Sequence, residues 1–162
     1  MRTFSRMPSA ANLIEAIYIG LEAAAPMQKV PAIRATAERG LEGDRYSRHA
    51  GTWSRPQRLD SQVTLIEAEA IDAVNRDYKL GIEAAQTRRN IVTRGVALNH
   101  LVGKRFKVGD VTLEGTKLCD PCNHLEKLTK PGVKFAFTHR GGLCANILTG
   151  GLISVGDPIT IE

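Results

Sequence analysis

The sequence predicts a mainly β fold of the α+β class, a β-barrel with a few peripheral helices. Three observations carry this expectation. Many short apolar runs are bounded by glycine, turn signals recur between them, and one segment alone has clear helical spacing. No glycine-rich loop joins a strand to a helix, so a Rossmann or P-loop reading is excluded. With 162 residues, the chain is long enough to bury a hydrophobic core in one domain without disulfide staples. That domain is expected over residues 13–162, behind a flexible N-terminus at 1–12.

The elements follow in order. Leu13 to Ile19 is the first strand candidate, closed by Gly20. Val30 to Ala35 is a second, interrupted by Pro31, which suits a strand start or an edge. Gly40-Leu41-Glu42-Gly43 marks a loop, and the polar, arginine-rich stretch from Asp44 to Ser61 extends it. Val63 to Ile66 is a brief apolar run. Glu67 to Tyr78 then has helical spacing, with Ala70, Ile71, Val74 and Tyr78 on one face. Thr64 and Glu67 are placed to form a capping box, and Gly81 ends the helical region. Asn90 to Thr93 reads as a strand and Ala97 to Val102 as a helical turn. Arg105 to Val108 and Val111 to Glu114 flank Gly109-Asp110, a hairpin turn. Leu143 to Leu148 and Leu152 to Val155 flank Thr149-Gly150-Gly151, which reads as a second hairpin. Ile159 to Ile161 is the last strand.

Composition narrows the function classes. Hydrophobic residues make up 43% and charged residues 24%, ordinary for a soluble globular chain. No apolar stretch approaches the roughly 20 residues of a membrane span, and no secretory signal core follows the N-terminus. The formal net charge is +5, and six arginines fall between Arg34 and Arg58 against three acids. Such a balance attracts anions. Aromatic residues are only 5%, and no nucleic-acid-binding motif appears, so a phosphorylated small molecule fits better than nucleic acid. Three cysteines, an odd count, argue against a disulfide framework and for thiols in a reducing, cytoplasmic compartment.

The chemistry-bearing centre is Cys119-Asp120-Pro121-Cys122, which follows the strand-like run Val111 to Thr116. A Cys-x-x-Cys pair alone is open between a redox dithiol, half of a zinc site and a local metal clamp. The βαβ context of a redox motif is missing. A structural zinc needs about four ligands, and Cys119, Cys122 and His124 give three, with His100, His139 or Cys144 more distant. Pro121 suits the start of a short helix through Leu128, which places Cys122 at a helix N-terminus, where thiolate is favoured. Arg88-Arg89-Asn90 supplies two guanidiniums suited to phosphate and an amide suited to a heterocycle edge. Arg45, after the Gly43-Asp44 turn, is available for an anion or for pairing with Asp44. Arg140 beside Gly141-Gly142 is a further cation; a solvated turn is the plain alternative for each. His49 is a candidate acid or base, Trp53 a candidate pocket cover, and Cys144, within an apolar run, a buried inert thiol.

Taken together, the motifs resemble a known family. Gly40-Leu41-Glu42-Gly43-Asp44-Arg45, Gln62-Val63-Thr64-Leu65-Ile66-Glu67, Arg89-Asn90-Ile91-Val92 and Leu101-Val102-Gly103-Lys104-Arg105 occur in order. Val108-Gly109-Asp110, Cys119-Asp120-Pro121-Cys122, Arg140-Gly141-Gly142 and Val155-Gly156-Asp157 follow. The ordered set is similar to a MOSC domain, the module at the C-terminus of molybdenum cofactor sulfurases, from about Ile14 to Glu162. The resemblance implies a β-barrel and a molybdenum cofactor (molybdopterin), with no need of pyridoxal phosphate. It implies Cys122 as the molybdenum ligand and catalytic residue, with Cys119 a possible second ligand. Arg45, Arg88, Arg89, Asn90, Arg140 and Thr116 would then hold the phosphorylated pterin. Family enzymes reduce N-hydroxylated compounds with electrons from a separate partner. A carrier of sulfur or of the cofactor, handing over to a cofactor-biosynthesis enzyme, is the alternative.

Overall fold

The computed structural model describes residues 12–47 and 61–162. Eleven strands and three α-helices are seen there. The strands are β1 (Leu13–Ile19), β2 (Gln28–Val30), β3 (Ala32–Thr36), β4 (Gly40–Leu41), β5 (Val63–Glu67) and β6 (Ile91–Arg94). They continue as β7 (Arg105–Val108), β8 (Val111–Leu118), β9 (Leu143–Thr149), β10 (Gly151–Ser154) and β11 (Ile159–Ile161). The helices are α1 (Ala68–Tyr78), α2 (Asn123–Leu128) and α3 (Val133–Ala136). The mainly β, α+β class holds.

Eight strands form one sheet in the order β11-β7-β8-β9-β5-β6-β1-β2, and β10-β3-β4 form a second, smaller sheet. The expected barrel is met by a curled sheet rather than a closed cylinder. Among the described residues the ladder stays open, although an isolated bridge joins Leu13 to Pro158 just ahead of β11. Within the large sheet β5 and β6 run parallel, crossing over through α1, and the other neighbours are antiparallel. No helix among the described residues is long and apolar enough to cross a membrane.

Two cores lie on opposite faces of the large sheet. Ile14, Ile17, Val63, Leu65 and Ile91 point into one, with Ala35, Leu41 and Ile153 of the small sheet and Phe106 and Leu113 of the hairpin. Ala16, Tyr18, Ile66 and Val92 point into the other, against Ile71 and Val74 of α1 and Leu125, Val133 and Phe137 near α2 and α3. The middle strands are therefore covered on both faces. This is why their sequences are continuous apolar runs. Strand β7 alternates exposed and buried residues instead, because one of its faces meets solvent.

Several expectations are corrected. Pro31 splits the second candidate into β2 and β3, which belong to different sheets. Gly40-Leu41, read as loop, pairs with Thr36 and Ala35 as a short strand. The capping box fails: Glu67 is the N-cap of α1 but its side chain makes no capping bond, and the Thr64 hydroxyl is turned to Asn90 instead. Helix α1 ends at Lys79, which takes the left-handed conformation (φ 52°), ahead of Gly81. The Gly109-Asp110 hairpin forms as expected, with Val108 opposite Val111. The second one does not, because β10 leaves β9 and pairs with β3. Gly150 allows this departure: a Cβ there would sit 2.6 Å from the Ala35 carbonyl oxygen. The N-terminus through residue 11, and the loop calls at His49 and Trp53, lie outside the described residues.

Candidate functional site

The loop after β4, the turn before β6, the segment joining β8 to α2 and the turn before β9 converge at one end of the large sheet. Their organiser is Asp44, which is fully buried. Its carboxylate accepts from the Gly20 amide (2.8 Å), the Tyr46 amide (3.2 Å), Arg45 Nη1 (3.2 Å) and Asn90 Nδ2 (3.2 Å). Four donors on one buried carboxylate offset the large cost of removing its charge from water. Arg45, only 4% exposed, also donates through Nη2 to the Arg88 carbonyl (3.3 Å) and lies 4.5 Å over the Tyr46 ring.

Arg88 ends a short 3₁₀ turn (Ala84–Thr87) in the left-handed conformation, φ 61°. Its Nη1 donates to the Ala25 carbonyl, while Nη2 is buried without a hydrogen-bond partner. Burial, and then repulsion from Arg45, push the Arg88 pKa below its ordinary value. Arg89 donates from Nε to the Gly141 carbonyl (2.7 Å) and from Nη2 to the Cys119 carbonyl (3.3 Å). It thereby ties the start of β6 to both flanking turns.

Cys122 is the N-cap of α2, and its Sγ accepts from the Leu125 amide at 3.5 Å. Arg45, Tyr46, Arg88, Arg89, Cys122, His124 and Leu125 line one small cleft of about 40 Å³. Three guanidiniums and one thiol thus share a wall that, among the described residues, carries no carboxylate. Burial raises the Tyr46 pKa against the opposing charge of Arg45, so its phenol keeps its proton at neutral pH and can donate. An orphaned buried guanidinium nitrogen beside two further arginines matches an anion with several oxygen acceptors.

Of the site residues expected from the sequence, the structure gathers Cys122, Arg45, Arg88 and Arg89 in this cleft. It does not bring Asn90 to the cleft. Asn90 is fully buried; its Oδ1 accepts from the Thr64 amide and hydroxyl, and its Nδ2 donates to Tyr18 and Asp44. With both ends of the amide engaged, Asn90 holds Asp44 in place and reads no ligand. Arg140 also lies outside the lining; its Nε donates to the Ala136 carbonyl at the end of α3 (2.9 Å). Thr116, at an irregularity of β8 opposite β9, donates to the Cys144 carbonyl (3.0 Å) and is likewise outside the lining.

Cys119 is turned to Cys144. The two thiols share a hydrogen bond, which, with Arg89 and Lys117 nearby, lowers the Cys119 pKa to about 6 against its burial. The same bond and burial push the Cys144 thiol up, so Cys144 is the donor. Cys144 is thus buried, as expected, but partnered. Among the described residues no group of three His, Cys, Asp or Glu side chains gathers to hold a metal, so the ligand set for a structural zinc is not assembled. Sequence reasoning missed Tyr46 and Leu125 as lining residues; adjacency to Arg45 and helical spacing from Cys122 were the only signals.

Known proteins give the frame for this site. None of the curated proteins matches the chain. Among solved structures, the YuaD protein of Bacillus subtilis superposes with a TM-score of 0.76 at 17% identity, covering 93% of this chain and 94% of that one. YiiM from Escherichia coli gives 0.67 at 19%, over 93% and 69%. YiiM from Geobacillus stearothermophilus gives 0.65 at 15%, over 94% and 74%. At these identities the likeness shows the fold alone. The sequence itself matches the family model of the MOSC domain over residues 44–160. That span begins at Asp44 and takes in every residue of the cleft, and the chain belongs to the MOSC domain family.

Proposed function

We propose that this chain binds a molybdenum cofactor and, with electrons from a separate protein, reduces N-hydroxylated compounds. The observation that carries the reading is the placement of Cys122 in one cleft with Arg45, Arg88 and Arg89. The donor set suits the group: a soft sulfur for the metal and guanidiniums for the phosphate of a pterin. The buried, unpartnered Nη2 of Arg88 supports the same fit. When bound, the cofactor supplies the electron chemistry at its metal. The protein's share is binding and orientation. Cys122 Sγ, aimed by the Leu125 amide, holds the metal. Arg88 and Arg89, fixed by the carbonyls of Ala25 and Gly141, neutralise the phosphate. Tyr46 keeps a proton for donation beside them.

Molybdenum and pterin analysis tests this, on protein from a host verified to make the cofactor. Near-stoichiometric molybdenum and pterin, both lost in Cys122→Ala, are expected; a variant that keeps its full metal overturns the assignment of Cys122. The half-exposed Cys122 also favours a second reading, a carrier that accepts sulfane sulfur or cofactor and passes it to a biosynthetic enzyme. Steady turnover of an N-hydroxylated base with a reductase rejects that alternative. Sulfur labelling of Cys122 without turnover supports it.

A further inference from the structure

The cofactor reading uses Cys122 and leaves two sulfurs unassigned. Cys119 lies one residue past the end of β8, and its amide donates to the Gly142 carbonyl (2.8 Å), continuing the ladder toward β9. Cys144 lies on β9 opposite Lys117. Residues two apart on a strand share a face, so Cys119 and Cys144 are diagonal neighbours on one face of the β8–β9 pair. Their thiols are in hydrogen-bond contact. Cys122 is directed elsewhere, to the Leu125 amide in the cleft.

We propose that Cys119 and Cys144 form a redox-active dithiol, a site oxidised to a cross-strand disulfide by peroxides or low-molecular-weight disulfides. The exposures set the order of events. Cys119, the more exposed residue of the two, is assigned to meet the oxidant, and Cys144, 4% exposed, to resolve it. With hydrogen peroxide, the Cys119 sulfur takes one peroxide oxygen, becoming a sulfenic acid as the O–O bond breaks and water leaves. The Cys144 sulfur then attacks the Cys119 sulfur, the S–OH bond breaks, and the hydroxyl leaves as a second water with the Cys144 proton. The two thiols together give up two electrons and two protons, which reduce one peroxide to two waters. With a low-molecular-weight disulfide, Cys119 displaces one thiol and Cys144 displaces the other.

Closing a disulfide of about 2.05 Å draws this diagonal pair together across the β8–β9 ladder, at Cys119, the residue that follows the end of β8. Its carbonyl accepts from Arg89 Nη2, so the oxidation state reaches a guanidinium of the cleft.

The test uses metal-free full-length protein, as wild type and as Cys122→Ser, in which Cys119 and Cys144 are the only cysteines. Each is treated with hydrogen peroxide or oxidised glutathione, alkylated and digested with trypsin. The peptides covering 118–127 and 141–162 should appear joined, two hydrogens lighter than their sum. The joined species should be released by a thiol reductant and be absent from Cys144→Ser. In the wild type, cleavage at the Asp120–Pro121 bond during fragmentation tells which cysteine of 118–127 carries the link. A Cys119–Cys122 link, a Cys119 left sulfenylated or glutathionylated, or two thiols that remain alkylatable overturns the proposal. Because Cys122→Ser lacks the proposed molybdenum ligand, this outcome stands apart from that of the cofactor reading.

Discussion

At the scale of single residues, hydrogen bonding separates the roles of the three cysteines. Cys119 draws its lowered pKa, about 6, first from the Cys144 thiol and then from Arg89 and Lys117. Iodoacetamide reactivity of Cys119, followed by peptide mass spectrometry across pH, should have its midpoint near 6. Cys144→Ala should move that midpoint upward, and an unmoved midpoint would deny the bond its role. The same shift is a stability statement. Between pH 6 and pH 9 the unfolded chain holds the Cys119 proton and the folded chain does not, so this thiol's contribution grows as pH rises. It is lost as pH falls through about 6. Above pH 9 Cys144 acts in the opposite sense, because the folded state retains a proton that the unfolded state releases. Asp44 carries a larger weight. Asp44→Ala leaves Arg45 buried and without its carboxylate, at a cost of about 3–5 kcal/mol, measurable as a lowered urea midpoint with an unchanged slope. The sequence marked Arg45, Arg88, Arg89 and Cys122 because charge and thiol chemistry belong to the residue type. It misread Asn90 because an amide's partners depend on burial, which no single residue type discloses.

At the scale of elements, the turns before the strands decide the shape of the cleft. Gly142 has φ 113°, and a Cβ there would lie 2.1 Å from the Leu65 carbonyl oxygen. A Cβ on Gly141 would lie 2.4 Å from the Cys119 carbonyl oxygen. Gly142→Ala should therefore destabilise the fold by about 2–3 kcal/mol. Thermal unfolding would show it as a fall in Tm, and a change within experimental scatter would contradict the close packing. Arg89 should be disturbed with it, since its Nε donates to the neighbouring Gly141 carbonyl. The turn chemistry of Gly109-Asp110 was legible because a hairpin is a local object, closed by the residues that form it. Thr149-Gly150-Gly151 has similar composition and a different outcome, since β10 finds its partner in β3, more than a hundred residues earlier in the chain. The capping box failed for a related reason: Asn90, in the turn before β6, competes for the Thr64 hydroxyl.

At the scale of the whole molecule, β5 is the keystone of the large sheet. It pairs with β9 on one side and β6 on the other, and its two faces feed both cores. Leu65 is fully buried, and Leu65→Ala should cost about 2–5 kcal/mol through lost burial and the cavity left behind, read from equilibrium unfolding. Because Thr64, on the same strand, anchors Asn90 and through it Asp44, that loss should also weaken retention of the proposed cofactor more than a surface substitution does. The sequence alone determined the strand-rich class, the main helix, the local hairpin and the residue types able to meet an anion and a soft metal. Those follow from periodicity, turn preference and side-chain chemistry, all of which act between near neighbours. Only the tertiary structure decided that the large sheet stays open, that β10 changes sheet, that Asn90 and Arg140 leave the cleft, and that Cys119 meets Cys144. These depend on register and burial between segments far apart in sequence, where the contact that wins is chosen by packing of the whole core.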